Sequence, residues 1–339
     1  MITERLVAQL LAGPRARDPM AVVERLLAVQ AQDAHGARLA IRARSTGLSV
    51  ADVDRALTED RSLLITWLNR GTLHLVSRDD YPWVQALTTP SLLTGNSRRL
   101  AQEGVTQDAA ERGVAVIARS LADDGPLTRD ELRARVERAG VRTEGQALVH
   151  LLGLASFRGL IVRGPMVGEQ QAYVLVRDWI GDTRHVARDQ ALTELARRYL
   201  AGHGPAGERD LAKWAGIPLR DARAGLRSIA SELDVRSDGV ARLAAARSAD
   251  QPPPPRLLGP FDPLLLGWTS REPILGRHEA KVVTGGVFRA FALVRGRGVA
   301  TWRLARERVE LEPFVRLRRA DAEALEADGR DVHRFLLNR

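Results

Sequence analysis

Apolar positions follow helical spacing over long stretches of the chain and change to strand-like alternation at short intervals. The first part is predicted to contain three helices and two strands, at residues 3–12, 20–29, 50–60, 63–67 and 71–76. Asp18-Pro19 opens the second helix, since Asp18 can accept a hydrogen bond as N-cap and Pro19 fits the first turn. Ser49 can cap the third helix in the same way.

The order helix, helix, helix, hairpin occurs twice further along the chain. The first copy is predicted at residues 112–122, 128–139, 143–157 and 160–176, and the second at 190–201, 208–215, 219–233 and 234–243. Aligning Gly125-Pro126 with Gly204-Pro205 places the copies 79 residues apart. This order is that of the winged helix, in which the third helix enters a groove of DNA. Residues 1–76 form a looser third copy, although three unrelated helical segments are the alternative.

The pattern changes after the second copy. Residues 248–259, SADQPPPPRLLG, predict a stiff spacer. Strands at 282–294 and 299–302 then flank the turn Arg295-Gly296-Arg297-Gly298, which predicts a hairpin with arginines at its tip. A final amphipathic helix is predicted at residues 320–328.

These patterns predict an α+β fold of three tandem winged-helix modules with a β-rich C-terminal segment. The predicted bounds are 1–110 for the first module, 111–185 for the second, 186–250 for the third and 256–339 for the C-terminal segment.

Composition excludes several kinds of chemistry. The 339 residues include no cysteine, which rules out disulfides, zinc fingers, iron–sulfur ligation and thiol nucleophiles. The seven histidines are scattered without a close pair, so we expect neither a metal site nor a cofactor. The N-terminus carries charges within its apolar face and no long apolar run follows, so we expect no signal peptide, no membrane association and a cytoplasmic location.

The charge balance favours a polyanionic partner. Lys plus Arg is 51 against 42 for Asp plus Glu, which gives a formal net charge of +9, and only Lys213 and Lys281 are lysines. Arginine presents a planar fork of donors that suits phosphates, so nucleic acid is the leading partner. A genomic preference for GC-rich codons is the alternative explanation of the arginines.

The tripeptide Gln30-Ala31-Gln32 is the first candidate for chemistry, at the end of the second predicted helix. Residues i and i+2 of an α-helix point apart, so both amides reach one site only if the backbone is extended or unwinding there. Two converging amides offer donors and acceptors for a water and a polar substrate edge. A solvated, polar helix end is the alternative interpretation.

A second candidate is Arg70-Gly71-Thr72-Leu73-His74. On a strand, Thr72 and His74 lie on one face, where a hydroxyl and an imidazole are neighbours. A half-buried strand whose polar face is only solvent-exposed is the alternative interpretation of this pattern. Asp33 and His35, which flank the glutamines, are possible neighbours of such a site. The GxSxG, GxxxxGK[ST] and strand-bound GxGxxG signatures do not occur in the sequence.

Six segments resemble the winged-helix DNA glycosylases of the AlkZ/AlkX (YcaQ-like) family. They are LLAVQAQ (26–32), TWLNRGTLHLV (66–76), ALVHLLGLASFRGLIVRGP (147–165), YLAGHGPAGERDLAKWAGIPLRDARAGL (199–226), GPFDPLLLGWTSR (259–271) and GGVFRAFALVRGRGVATWR (285–303). Their order and joint presence cover nearly the whole chain. In this family a Gln-aliphatic-Gln motif marks the AlkZ branch, and the AlkX branch has Asp at the last position. Gln30 and Gln32 match the former, and Asp33 lies one residue too late for the latter.

The resemblance implies excision of N7-alkylated guanine, including bulky adducts and interstrand crosslinks, with Gln30 and Gln32 as the catalytic pair. Thr72, His74 and His35 are then possible active-site neighbours. The expected partner is double-stranded DNA, bound by a monomer associated with the nucleoid. The arginines expected to contact DNA are Arg70, Arg163, Arg295 and Arg297, although Arg163 is equally well explained as part of a solubilising surface turn. A winged-helix regulator that binds DNA without catalysis is the alternative function.

Overall fold

The computed structural model describes residues 1–168, 170–181, 186–246, 253–305 and 308–337. The helices are α1 Ile2–Ala8, α2 Pro19–Leu26, α3 Ala34–Arg44, α4 Val50–Thr58, α5 Tyr81–Thr88, α6 Leu92–Gln102, α7 Gln107–Asp124, α8 Arg129–Arg138, α9 Ala147–Phe157, α10 Val176–Trp179, α11 Arg188–His203, α12 Glu208–Ala215, α13 Leu219–Ser228, α14 Glu272–Leu275, α15 Glu279–Val282 and α16 Arg319–Leu337. The strands are β1 Val29–Gln30, β2 Leu63–Leu68, β3 Thr72–Ser77, β4 Ile161–Val167, β5 Gln170–Leu175, β6 Leu233–Val235, β7 Ala241–Leu243, β8 Arg256–Leu258, β9 Val283–Thr284, β10 Val287–Phe288, β11 Phe291–Val294, β12 Arg297–Ala305 and β13 Arg308–Pro313.

The chain divides into two compact units. Unit 1 comprises Met1–Val53 and Leu192–Arg339, and unit 2 comprises Asp54–Ala191. Mixed helices and short sheets, with a strand-rich C-terminal part, confirm the predicted α+β class. The finer division at residues 110, 185 and 250 stays a prediction. None of the helices in the described ranges is long and apolar enough to cross a membrane.

Unit 2 contains the first repeated unit in the predicted order, as α7, α8, α9 and the β4–β5 hairpin. Helix α8 begins with a capping box between Thr128 and Glu131. Strands β3, β2, β4 and β5 lie side by side, and β2 pairs antiparallel with β3 from Leu63↔Ser77 onward. Helix α9 is buried along most of its length, at Ala147, Leu148 and Leu151–Phe157. The side chains of α9 form part of the core of unit 2, and the entry of this third helix into a DNA groove stays a prediction.

The β4–β5 hairpin turns later than predicted. Gly164-Pro165 forms a bulge within β4, where the register shifts between Arg163 and Met166, and the chain reverses after Val167. A Cβ atom on residue 164 would lie 2.6 Å from a ring carbon of Trp179, so the glycine allows this indole to approach the strand. Arg163 accordingly lies within a strand and not on a projecting turn, which corrects its predicted placement.

Unit 1 contains the second repeated unit, as α11, α12, α13 and the short β6–β7 hairpin, whose turn includes the predicted Gly239. Its other half is a sheet in the order β13-β12-β11-β8. Apolar residues of this sheet, including Leu257 and Ala300, pack with Leu325 and Val332 of α16 and with Leu39 of α3. This core supports the segment around α3.

Several predicted bounds in unit 1 are wrong. The final helix extends over Arg319–Leu337, and the single strand predicted at 282–294 is broken into β9, β10 and β11 after the short helix α15. The glycines Gly285 and Gly286 adopt positive φ between β9 and β10, which ends the first strand early. Part of the predicted proline-rich spacer, residues 248–252, lies outside the described residues, and its remainder contains β8, so residues 256–258 are a strand and not a spacer.

Candidate active site

The glutamine tripeptide follows helix α2 and does not lie at the end of that helix as predicted. Helix α2 ends at Leu26, and Leu27 adopts φ 64°, a left-handed conformation that stops the helix. Val29–Gln30 then forms β1. Gln30 therefore lies on extended backbone, whereas Ala31 and Gln32 lie between this strand and helix α3, outside both elements.

The two glutamine side chains differ in their environment. Gln30 is only 7% exposed, and its Oε1 atom is buried without a hydrogen-bond partner among the residues that the structure describes. Gln32 is exposed. A buried carbonyl oxygen without a donor costs about 1–3 kcal/mol. Gln30 Oε1 is thus one of several buried polar atoms for which the described residues supply no partner.

Asp33 and His35 belong to the first turn of helix α3. The Asp33 carboxylate is the N-cap, and its Oδ1 accepts a hydrogen bond from the Gly36 amide at 2.6 Å. His35 is exposed. Any Cβ atom on residue 36 would lie 2.3 Å from the carbonyl oxygen of Pro260, so α3 begins in direct backbone contact with the loop that contains GPFDP. This contact fixes the start of α3 directly after Gln32.

Two buried arginines of α3 anchor this helix through ion pairs, and the sequence analysis did not predict this role. Arg44 pairs with Asp262 and also donates to Gln9, while Arg42 pairs with Asp328. The signal was the run IRAR at 41–44, where two arginines interrupt an otherwise apolar stretch.

The second candidate constellation lies in unit 2, on the β2–β3 hairpin. Thr72 Oγ1 donates to the carbonyl of Asn69, and His74 Nδ1–H donates to the carbonyl of Thr72 at 2.9 Å. His74 is buried, and burial is the main reason that its pKa falls from 6.5 to about 4, with a smaller contribution from the positive charge of Arg70. The imidazole is therefore neutral near pH 7 and is unsuited to act as a cationic acid.

The four arginines predicted to contact DNA have different surroundings. Arg70 adopts φ 58° in the β2–β3 turn. The Arg163 guanidinium lies 5.0 Å from the ring centroids of both Trp67 and Tyr173. Arg295 and Arg297 do flank the tip of the β11–β12 hairpin, as predicted.

The hairpin arginines also have protein partners. Arg295 donates to both carboxylate oxygens of Asp321, and Arg297 donates to the carbonyl of Glu272. The Arg295 side chain is still 53% exposed, so it can meet a phosphate from solution.

The predicted site residues are divided between the two units. Gln30, Gln32, His35, Arg295 and Arg297 belong to unit 1, and Arg70, Thr72, His74 and Arg163 belong to unit 2. Within the described ranges, the structure contains no group of three or more histidine or acidic residues that could hold a metal ion.

Comparison with known proteins places this geometry in an enzyme class. The model of the family described as DNA glycosylase AlkZ-like matches residues 23–335, which include the glutamine tripeptide and both repeated units. The protein is thus a DNA glycosylase, a hydrolase that acts on DNA. More narrowly, the chain belongs to the AlkZ-like DNA glycosylase family, which confirms the resemblance found in the sequence.

Two matches come from Streptomyces sahachiroi. An interstrand DNA cross-link repair glycosylase is 28% identical over an alignment of 346 positions, which covers 95% of this chain and 91% of the relative. The solved structure of the DNA glycosylase AlkZ superposes with a TM-score of 0.81 at 26% identity, covering 98% of this chain and 95% of that chain.

Proposed function

We propose that this glycosylase hydrolyses the N-glycosidic bond of cationic N7-alkylguanine in double-stranded DNA, with Gln30 and Gln32 as its catalytic residues. The observation that carries the proposal is the buried Oε1 atom of Gln30, which lacks a donor next to an exposed second amide. An acceptor held ready in this way suits a water molecule or a developing positive charge on the sugar.

The chemistry of the lesion fits a site that uses amides. Alkylation at N7 gives the guanine ring a positive charge, so its departure from the sugar needs little acid catalysis. The C1′–N9 bond breaks and its electron pair neutralises the ring, while a water oxygen forms the new bond to C1′ and loses one proton to solvent. The sugar resembles an oxocarbenium ion on the way. Amide oxygens of Gln30 and Gln32 orient that water and face the sugar cation.

Bulky lesions are part of the proposed substrate range. The Streptomyces sahachiroi relative is named an interstrand DNA cross-link repair glycosylase and aligns over nearly the whole of both chains. We extend this substrate to the present chain, which would then release one guanine of an N7–N7 crosslink and separate the strands. The protein acts as a monomer in this proposal.

The test is release of free base from a duplex that contains a single 7-methylguanine. We expect the wild-type protein to release 7-methylguanine, measured by chromatography. Replacing Gln30 or Gln32 with alanine is expected to slow release by roughly 100-fold, the usual cost of removing one group that stabilises a transition state. Gln102→Ala, which alters a glutamine at the end of α6 in unit 2, is the matched control and should release base at the wild-type rate.

Folding is checked on a variant of similar size. Gln30→Leu removes the unpartnered oxygen, so its urea midpoint should equal or exceed that of the wild type while release is lost. Wild-type protein that releases no N7-alkylated base from any duplex, or full activity in Gln30→Ala, would contradict the proposal.

A further inference from the structure

Unit 1 contains a cleft of about 600 Å³ that begins one residue after Gln32. Its volume lies within the range of small-molecule sites, about 300–1,000 Å³. Asp33 lines it together with the loop 260–261, residues 287–290, residues 301–303 of β12 and residues 310–312 of β13. Asp33 follows Gln32 directly in the chain, so the cleft and the glutamine tripeptide share one backbone segment, although neither glutamine lines the cleft.

The walls of this cleft suit a flat ring. Phe261, Phe288 and Trp302 all line it. The ring centroids of Phe261 and Phe288 lie 5.4 Å apart, and the angle between the two ring planes is 42°. The Trp302 indole is fixed by a hydrogen bond from its Nε1 to the carbonyl of Leu258. Phe261 adopts φ 56°, a strained conformation for an aromatic residue, which is the kind of cost that binding sites retain.

The polar groups of the cleft favour a ligand that donates hydrogen bonds. Glu310 pairs with Arg303, and Glu312 accepts from the Thr301 hydroxyl, so both carboxylates are partly engaged. Asp33 is held in place because its Oδ1 caps α3, and its Oδ2 has no hydrogen-bond partner in the described part of the chain. The cleft thus presents a fixed carboxylate oxygen beside aromatic walls.

Guanine has the complementary edge. Its N1–H and N2–H groups are adjacent donors on the Watson–Crick edge, the edge that enzymes read when they hold a base outside the stack. The lining contains three carboxylates, those of Asp33, Glu310 and Glu312, and two cations, Arg289 and Arg303. Its net charge is therefore −1, which suits the cationic ring of an N7-alkylated guanine.

We propose that this cleft is the base-recognition site of the enzyme, in which aromatic side chains stack on the N7-alkylguanine ring and Asp33 accepts its N1–H and N2–H donors. This inference rests on the proposed function, because it assigns a binding site to the same substrate. It gives Asp33 a role separate from that of Gln30 and Gln32: selection of the base, without a part in bond cleavage.

The experiment measures nucleoside binding, which requires no excision. Saturation-transfer NMR titrations would compare 7-methylguanosine with 7-methylinosine, which lacks the N2 amino group. Wild-type protein should bind 7-methylguanosine about tenfold more tightly, the size of a single base-edge contact. Asp33→Asn keeps the helix cap but replaces the free acceptor with a donor, so it should bind both nucleosides equally weakly.

Asp18→Asn is the matched control, since Asp18 caps α2 in the same way and is not part of the cleft lining. It should keep the wild-type preference. Absence of 7-methylguanosine binding to the wild type, or an unchanged preference in Asp33→Asn, would overturn the base-recognition site. Excision of 7-methylguanine from duplex DNA in either case would leave the proposed function standing, so the two failures are distinguishable.

Discussion

Arg44 of helix α3 and Asp262 of the GPFDP loop form an ion pair that is completely buried, with 2.7 Å between Nη2 and Oδ1. The second Asp262 oxygen accepts from Nη1, and Gln9 accepts another hydrogen bond from Nη2. Asp262 also caps the turn that follows it by accepting from the Leu264 amide. Both carboxylate oxygens of Asp262 and both terminal nitrogens of Arg44 are therefore partnered, and the pair ties α3 to the loop that forms one wall of the cleft.

Removing one partner of this pair should be strongly destabilising. Asp262→Ala leaves the Arg44 charge buried without its carboxylate, which typically costs about 3–5 kcal/mol. We expect a large fall in the urea midpoint of unfolding. Glu323→Ala, which breaks an exposed pair with Arg319 on α16, should change the free energy of unfolding by less than about 1 kcal/mol. Equal effects of the two substitutions would contradict the structural role of Arg44.

The Arg44–Asp262 pair also shows why some elements are predictable from sequence and helix α3 is not. Repeated helices and hairpins were found because one face of each element is apolar and the other polar, as in the capping box that begins α8. Helix α3 was not predicted, because residues 36–44 are all buried and the helix has no exposed polar face to give a periodic pattern. Its buried arginines also look like surface charges in the sequence. Their carboxylate partners lie more than 200 residues away.

The candidate site shows a similar limit. The glutamine pair was recognisable as a motif, and helix geometry required that its backbone leave the helix, which it does because α2 ends at Leu26 and Gln30 lies in β1. The cleft beside Asp33 was not predictable, because its walls come from the loop at 260 and three strands that meet only in the folded unit. A motif of neighbouring residues can be recognised in the sequence, whereas a cleft lined by residues that are distant in the sequence can be recognised only in the structure.

Stability should fall in mildly acidic solution because of His203 in unit 1. This imidazole is packed against Tyr199 and Trp214, and burial lowers its pKa from 6.5 to about 3. Between these values the unfolded chain binds a proton that the native protein does not. The stabilisation is complete above pH 6.5 and is lost as the pH falls towards 3, by up to about 1.4 kcal/mol per pH unit.

Urea midpoints at pH 7, 6 and 5 test this contribution. In His203→Phe the titrating group is absent, so the decrease in the free energy of unfolding between pH 7 and 5 should be smaller than in the wild type. The same decrease in both proteins would show that another group is responsible.

The contribution of the arginines at the tip of the β11–β12 hairpin to DNA binding should be measurable from its salt dependence. If Arg295 and Arg297 contact phosphates, the double alanine variant should flatten the slope of log K against log salt by about 1.8. A double alanine variant of Arg319 and Arg330, two exposed arginines of α16, removes the same charge and should leave the slope close to the wild-type value. Identical slopes in both double variants would remove the hairpin from the DNA interface.

Glycosylase activity should be monofunctional and leave an abasic site in an intact strand. Strand cleavage by a lyase step requires an amine that forms a Schiff base with C1′, and this chain offers only two lysines and its N-terminus. Each of these amines has a partner in the structure. Lys213 donates to the carbonyl of Thr269, Lys281 lies 5.5 Å from the Phe314 ring centroid, and the Met1 amine pairs with Glu4 at 3.0 Å.

Sodium borohydride added during turnover should therefore trap no covalent protein–DNA adduct on a denaturing gel. A lyase incubated in parallel with a duplex that contains an abasic site verifies the trapping. Hydrolysis by a water that Gln30 and Gln32 orient requires no amine, so replacing Lys281 with alanine should leave base release unchanged. An adduct that forms with the wild type and disappears in Lys281→Ala would overturn both the monofunctional assignment and the role of the two glutamines.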